Sequence, residues 1–115
     1  DDKNDMVGKL TVLNEQIGLY RKMNREPEGL QAIKEALALA DTLQMENTVT
    51  LGTTLINAAT GYKAFGMAET ALPLYQKAKE IYEAVLSPTD TRLGGLYNNM
   101  AVTVMELSLS SPMTE

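Results

Sequence analysis

The side chains able to do chemistry in this sequence are fifteen Asp and Glu, ten Lys and Arg, and a scatter of Asn, Thr, Ser and Tyr; neither histidine nor cysteine occurs. Without histidine, the commonest general base and the commonest metal ligand are both missing. Nucleophile systems that pair Ser or Cys with His are impossible. Without cysteine there are no disulfides or thiolate metal sites, which fits a cytoplasmic location. Carboxylate pairs remain, yet none of the acids falls in a recognisable metal or acid–base motif. What is left is non-covalent chemistry: amides that both donate and accept, and cations that pair with carboxylates. The sequence is therefore read as non-enzymatic, with no cofactor.

A net charge of −5 and the lack of any Lys/Arg cluster argue against nucleic acid as a partner. No apolar run approaches the ~18 residues a membrane span needs. The acidic opening "DDKNDMVGKL" has no apolar signal core and no initiator Met, so it is expected to belong to a piece of a longer chain rather than to an export signal. With 115 residues and 44% hydrophobic content, the chain can bury a real core as one domain or part of one. One Phe and no Trp leave Leu, Ala, Ile, Val, Met and five Tyr to build it. Seven Met suit irregular gaps between helices; an adaptable binding surface is the lesser reading.

Helical periodicity runs through the chain and strand-like alternation is nowhere sustained. The first helix is expected over 7–23, with Val7, Leu10, Leu13, Ile17 and Tyr20 spaced by three and four. "NREPEG" interrupts it, and Pro27 suits the first turn of a second helix whose stripe is Leu30, Ile33, Ala36, Leu37, Ala40 and Leu43. "MENT" reads as a break, with Asn47 or Thr48 capping a third helix that ends near Phe65 at Gly66. A fourth helix carries Ala71, Leu72, Tyr75, Ala78, Ile81, Tyr82 and Val85, with Pro73 adjusting its first turn. After "SPTD", whose Asp90 is the expected cap, a fifth helix spans 91–109, followed by a frayed tail.

Shifting the chain by 42 residues aligns it with itself without a gap: Leu13 falls on Leu55, Tyr20 on Tyr62, Leu30 on Leu72 and Ala36 on Ala78. One period later Leu51 falls on Leu93, Gly52 on Gly94, Asn57 on Asn99 and Ala59 on Ala101. Leu and Ala coincide easily in helices; the Tyr, Gly and Asn matches, in register with the loops, carry more weight. The chain reads as a two-helix unit occurring roughly 2.5 times, with repeats at about 7–48 and 49–90, a half repeat at about 91–109 and a tail at 110–115.

Leu55, Ala58, Ala59 and Tyr62, followed by Ala71, Tyr75 and Ala78, have the spacing of the tetratricopeptide pattern. The long period, "ALPLYQKAKEIYEAVLSPTD" and "LYNNMA" resemble kinesin-light-chain-type tetratricopeptide repeats, which are longer than the 34-residue unit. The likeness covers about 7–109 and departs from the pattern where Leu or Tyr replaces the Trp-type residue and where Ile17 and Asn24 stand in place of a small residue and Gly. It implies an all-α, right-handed α–α superhelix of about five antiparallel helices. It also implies a non-catalytic scaffold whose first-type helices line a concave groove for a peptide or partner protein. Carried over residue by residue, the groove would present Asn14 and Arg21, then Thr53, Asn57, Thr60 and Lys63, then Asn98 and Asn99.

Asn57 and Asn99 match positions where this family uses Asn to hold peptide backbone; tying adjacent repeats together is the alternative. Arg21, Lys22 and Lys63 would make one end cationic and able to receive a carboxylate, although basic helix ends in solvent are the stronger reading. A full carboxylate clamp is absent. Tyr82 and Tyr97 are expected to serve helix packing rather than to stand as exposed anchors. The last helix is of first type, so Leu96, Met100, Val104 and Leu107 are expected to lack part of their cover, either continued by a longer array or paired in a homodimer. A regulatory segment of a larger protein and an oligomerisation module are the alternative functions.

Overall fold

The computed structural model describes residues 2–42 and 48–110; Leu43, Asn47 and the tail beyond 110 lie outside them. Five helices follow one another: α1 Asp2–Lys22, α2 Glu26–Thr42, α3 Val49–Ala64, α4 Ala68–Val85 and α5 Thr91–Ser110. No strand occurs among the described residues, and no helix there is long and apolar enough to cross a membrane. The all-α reading holds. α1 begins five residues earlier than the apolar stripe indicates, and Asp5 lies near its N-terminal end, where a helix favours negative charge.

The turns repeat as the sequence does. Asn24 has φ +56° and Gly66 has φ +82°, and the two are 66 − 24 = 42 residues apart. At the first turn Arg25 N–H donates to the Tyr20 carbonyl at 2.9 Å, and at the second Met67 N–H donates to the Tyr62 carbonyl at 2.7 Å. Both are the six-to-one closure of a left-handed helix terminus. Asn24, a departure from the glycine pattern, adopts the left-handed conformation that Asn tolerates better than other non-glycine residues.

The other ends are fixed by side chains. Thr48 caps α3, its hydroxyl accepting from Leu51 N–H at 3.1 Å. Asp90 caps α5, its carboxylate accepting from Arg92 N–H at 2.9 Å and from the Arg92 guanidinium at 2.7 and 2.9 Å. Pro73 lies within an unbroken α4, exposed at its sixth residue, where only one backbone bond is forgone.

Hydrogen bonds from the Arg92 side chain and backbone lower the Asp90 pKa from 3.8 to about 2. A depressed carboxylate contributes stability above its unfolded value that is lost as pH falls through its folded value. Asp90→Ala should therefore melt below wild type at neutral pH, with the gap closing between about pH 4 and pH 2. Circular dichroism melts across that range check it; Asp90→Asn, which retains a capping oxygen, should lie between the two.

Two apolar clusters form the core. The first joins Leu10, Leu13 and Ile17 of α1 to Ala32, Ile33, Ala36 and Ala40 of α2 and Ala58 of α3. The second joins Leu55 and Ala59 of α3 to Ala71, Tyr75, Ala78, Ile81 and Tyr82 of α4 and Leu93 and Leu96 of α5. Leu37, Leu51, Tyr62 and Leu74 pack against both, so the core is continuous. Each helix packs on its neighbour in sequence, and α3 also packs on α1 and on α5. The molecule measures 58 × 36 × 21 Å.

α3 and α4 are locked at a defined register. Thr53 Oγ1 and Tyr82 Oη lie 2.7 Å apart, as do Thr60 Oγ1 and Tyr75 Oη. Both pairs sum to the same number, 53 + 82 = 60 + 75, as antiparallel helices require. Each buried ring thereby delivers its hydroxyl to a partner at the edge of the interface.

A candidate binding groove between α1 and α3

α1 and α3 meet along a polar seam. Asn57 Nδ2 donates to Asn14 Oδ1 at 3.2 Å, Asn14 Nδ2 donates to Thr54 Oγ1 at 3.1 Å, and Thr54 Oγ1 donates to the Thr50 carbonyl at 2.9 Å. The direction of the chain is forced. The fully buried Thr54 hydroxyl gives its one proton to the backbone, so it can only accept from Asn14. Bonds aligned head to tail polarise one another and hold both amides in place.

Beside this seam lies an open groove of about 320 Å³ lined by Thr11, Asn14, Glu15, Val49, Thr50, Thr53 and Asn57. It brings together three of the residues expected in a binding groove: Asn14, Thr53 and Asn57. Asn57 is half-buried, and its carbonyl oxygen and second amide proton have no partner among the described residues. Thr53 is exposed but its hydroxyl is engaged by Tyr82.

The remaining expected residues lie elsewhere along the odd-numbered helices. Thr60 is half-buried and bonded to Tyr75. Lys63 Nζ pairs with Glu106 Oε1 at 3.4 Å, tying α3 to α5. Arg21, 63 − 21 = 42 residues before Lys63, occupies the last turn of α1 half-buried and forms no ion pair among the described residues. Both cations sit where a helix end favours positive charge. Asn98 is exposed; Asn99 is half-buried and its backbone carbonyl accepts from the buried Thr103 hydroxyl at 2.7 Å. Among the described residues the Asn99 side chain makes no bond to α3 like the bridge that its counterpart Asn57 makes to α1.

The aromatic residues separate. Tyr82 is buried, whereas Tyr97 is 42% exposed and donates to Glu83 Oε2 at 2.6 Å. That hydrogen bond, with some desolvation, holds the Tyr97 pKa above its ordinary value. On α5, Leu96 is 1% exposed under α4, so its cover is complete, while Val104 is 51% exposed.

Three polar contributors escaped the sequence reading: Thr54 and the hydroxyls of Tyr75 and Tyr82. The signal was present as Thr53 and Thr60 seven residues apart, matched by Tyr75 and Tyr82 seven residues apart. A Thr within an apolar helix stripe, such as Thr54, likewise indicates a buried hydroxyl that needs a partner.

No known family model matches the chain, and no curated protein matches its sequence.

Proposed function

We propose that the chain is a helical-repeat scaffold of the tetratricopeptide type, kinesin-light-chain-like in its long period. In this reading the α1–α3–α5 surface is the concave side of a right-handed superhelix and holds an extended segment of a partner protein. The observation that carries it is Asn57: an amide fixed by its bond to Asn14, half-buried at an open groove, with an acceptor and a donor uncommitted among the described residues. An extended peptide backbone presents that same pair of groups whatever its side chains. Arg21, without an ion pair among the described residues, is the cation that would meet a carboxylate on the ligand. Lys63 serves less directly, since a ligand carboxylate would compete with Glu106 for it, although a partly exposed pair of that kind is weak.

Peptides selected from a random library against the whole chain test the proposal. Asn57→Ala removes up to two ligand bonds of about 0.5–1.5 kcal/mol each, so affinity should fall by about tenfold. Amide shifts on adding peptide should concentrate on α1 and α3. Unchanged affinity in Asn57→Ala, or shifts confined to α2 and α4, would put the site elsewhere. Thermal melts of the variant separate lost binding from a loosened seam.

A further inference from the structure

One face of α5 is open where the matching face of α3 is covered. Under the 42-residue shift, Gly94 matches Gly52, Ala101 matches Ala59 and Val104 matches Tyr62. In α3 all three are under α4 or the core it builds. A Cβ on Gly52 would strike the Tyr82 ring, Ala59 is fully buried, and Tyr62 packs against the second cluster. In α5 a Cβ on Gly94 meets nothing within 4 Å among the described residues, Ala101 is exposed and Val104 is half exposed. The inner face of α5 is already satisfied, with Leu93, Leu96 and Thr103 buried. The open face is thus a second apolar face with the residue types of a helix-binding one.

It is also continuous with an existing interface. Met100 packs against the second core cluster and, with Ala101, Val104, Met105 and Leu109, forms an open apolar patch along α5. α3 shows what fits such a face: a helix with Ala71 and Ala78 at the close approaches and rings at 75 and 82. The match differs at two places. The hydroxyls that receive Tyr82 and Tyr75 are those of Thr53 and Thr60, and the α5 counterparts are Gly95 and Val102. A tyrosine buried there would leave its O–H without a partner, which is disfavoured. An apolar ring suits both places.

We infer that this face of α5 docks an amphipathic helix from a partner protein, antiparallel to α5, with small residues at the two close approaches and phenylalanine at the two ring positions. The ring nearer the start of α5 fills the notch at Gly94. This surface is distinct from the α1–α3 groove and stands or falls independently of it. A second copy of this chain is a poorer occupant, because its α4 carries tyrosines and is already engaged.

The probe is a fluorescein-labelled peptide of residues 67–86 carrying Tyr75→Phe and Tyr82→Phe, titrated by anisotropy against the whole chain. Saturable one-to-one binding is expected, about tenfold tighter than that of the unaltered peptide, since each buried hydroxyl left unpaired weakens it severalfold. Ala101→Glu, at an exposed position, should abolish binding while melting as wild type does; Val104→Glu should do the same. The inference is overturned if neither peptide binds, or if the tyrosine peptide binds equally well. Binding that survives both glutamates also overturns it, since the peptide would then be displacing α4. So does sedimentation showing a dimer that Ala101→Glu dissociates, which would make a second copy the occupant.

Discussion

Tyr75→Ala should lower the stability of the protein by about 3–5 kcal/mol. The ring is fully buried in the second cluster, whose members include Ala59, Ala71 and Ala78, and those methyl side chains are too small to fill the space it would leave. A domain of this size has about 5–15 kcal/mol in total, so the variant would lose at least about a fifth of its margin. Urea unfolding at neutral pH reads it directly as a fall in midpoint with little change in slope. Tyr75→Phe separates the contributions. It keeps the volume and removes only the bond to Thr60, so it should cost about 0.5–1.5 kcal/mol, with the half-buried Thr60 turning to water. A cost for Phe close to that for Ala would mean that the hydroxyl pair, and not the packing of the ring, sets the α3–α4 register.

Gly52→Ala and Gly94→Ala should have opposite signs although the positions are equivalent in sequence. Alanine in a helix interior gains about 0.5–1 kcal/mol over glycine when nothing opposes it. Gly94 is open, so that gain should appear in full. At Gly52 the added methyl meets the side of the Tyr82 ring, which is 2% exposed and held by Thr53, and has nowhere to move. Overpacking of this kind costs about 1–3 kcal/mol, which outweighs the propensity gain. Melting of the two single variants decides the matter. If both stabilise, α4 rides loosely over α3 and the notch is not a fixed contact.

Much of the fold could be read from the sequence because apolar spacing, turn residues and the 42-residue shift all point to the same elements. Leu10, Leu13 and Ile17, or Ala71, Tyr75 and Ala78, belong to the core for the same reason that they belong to a stripe. Turn chemistry marked Gly66, Thr48 and Asp90 in the same way. Partner choice was harder to read. The sequence places Asn14 and Asn57 on matching helices, but nothing local reveals that one donates to the other, because the contact spans 43 residues and depends on how α1 leans on α3. Lys63 illustrates the same limit: its partner Glu106 lies on α5, and a lone cation on a helix end carries no mark of it. Polar side chains are committed by tertiary distance, whereas apolar ones are committed by period alone.

The adjacent pair Ala58 and Ala59 has a consequence for how such a molecule changes shape over generations. Ala58 belongs to the core shared with α1 and α2, and Ala59 to the core shared with α4 and α5. Both are fully buried, so each methyl is a shim on one side of α3. A bulkier residue at 58 would wedge α3 away from the first hairpin, and one at 59 would wedge it away from α4. The curvature of the surface that carries Asn14 and Asn57 can therefore drift without any change in the residues that line it. The shape of the proposed groove is thus adjustable from the far side of the helix.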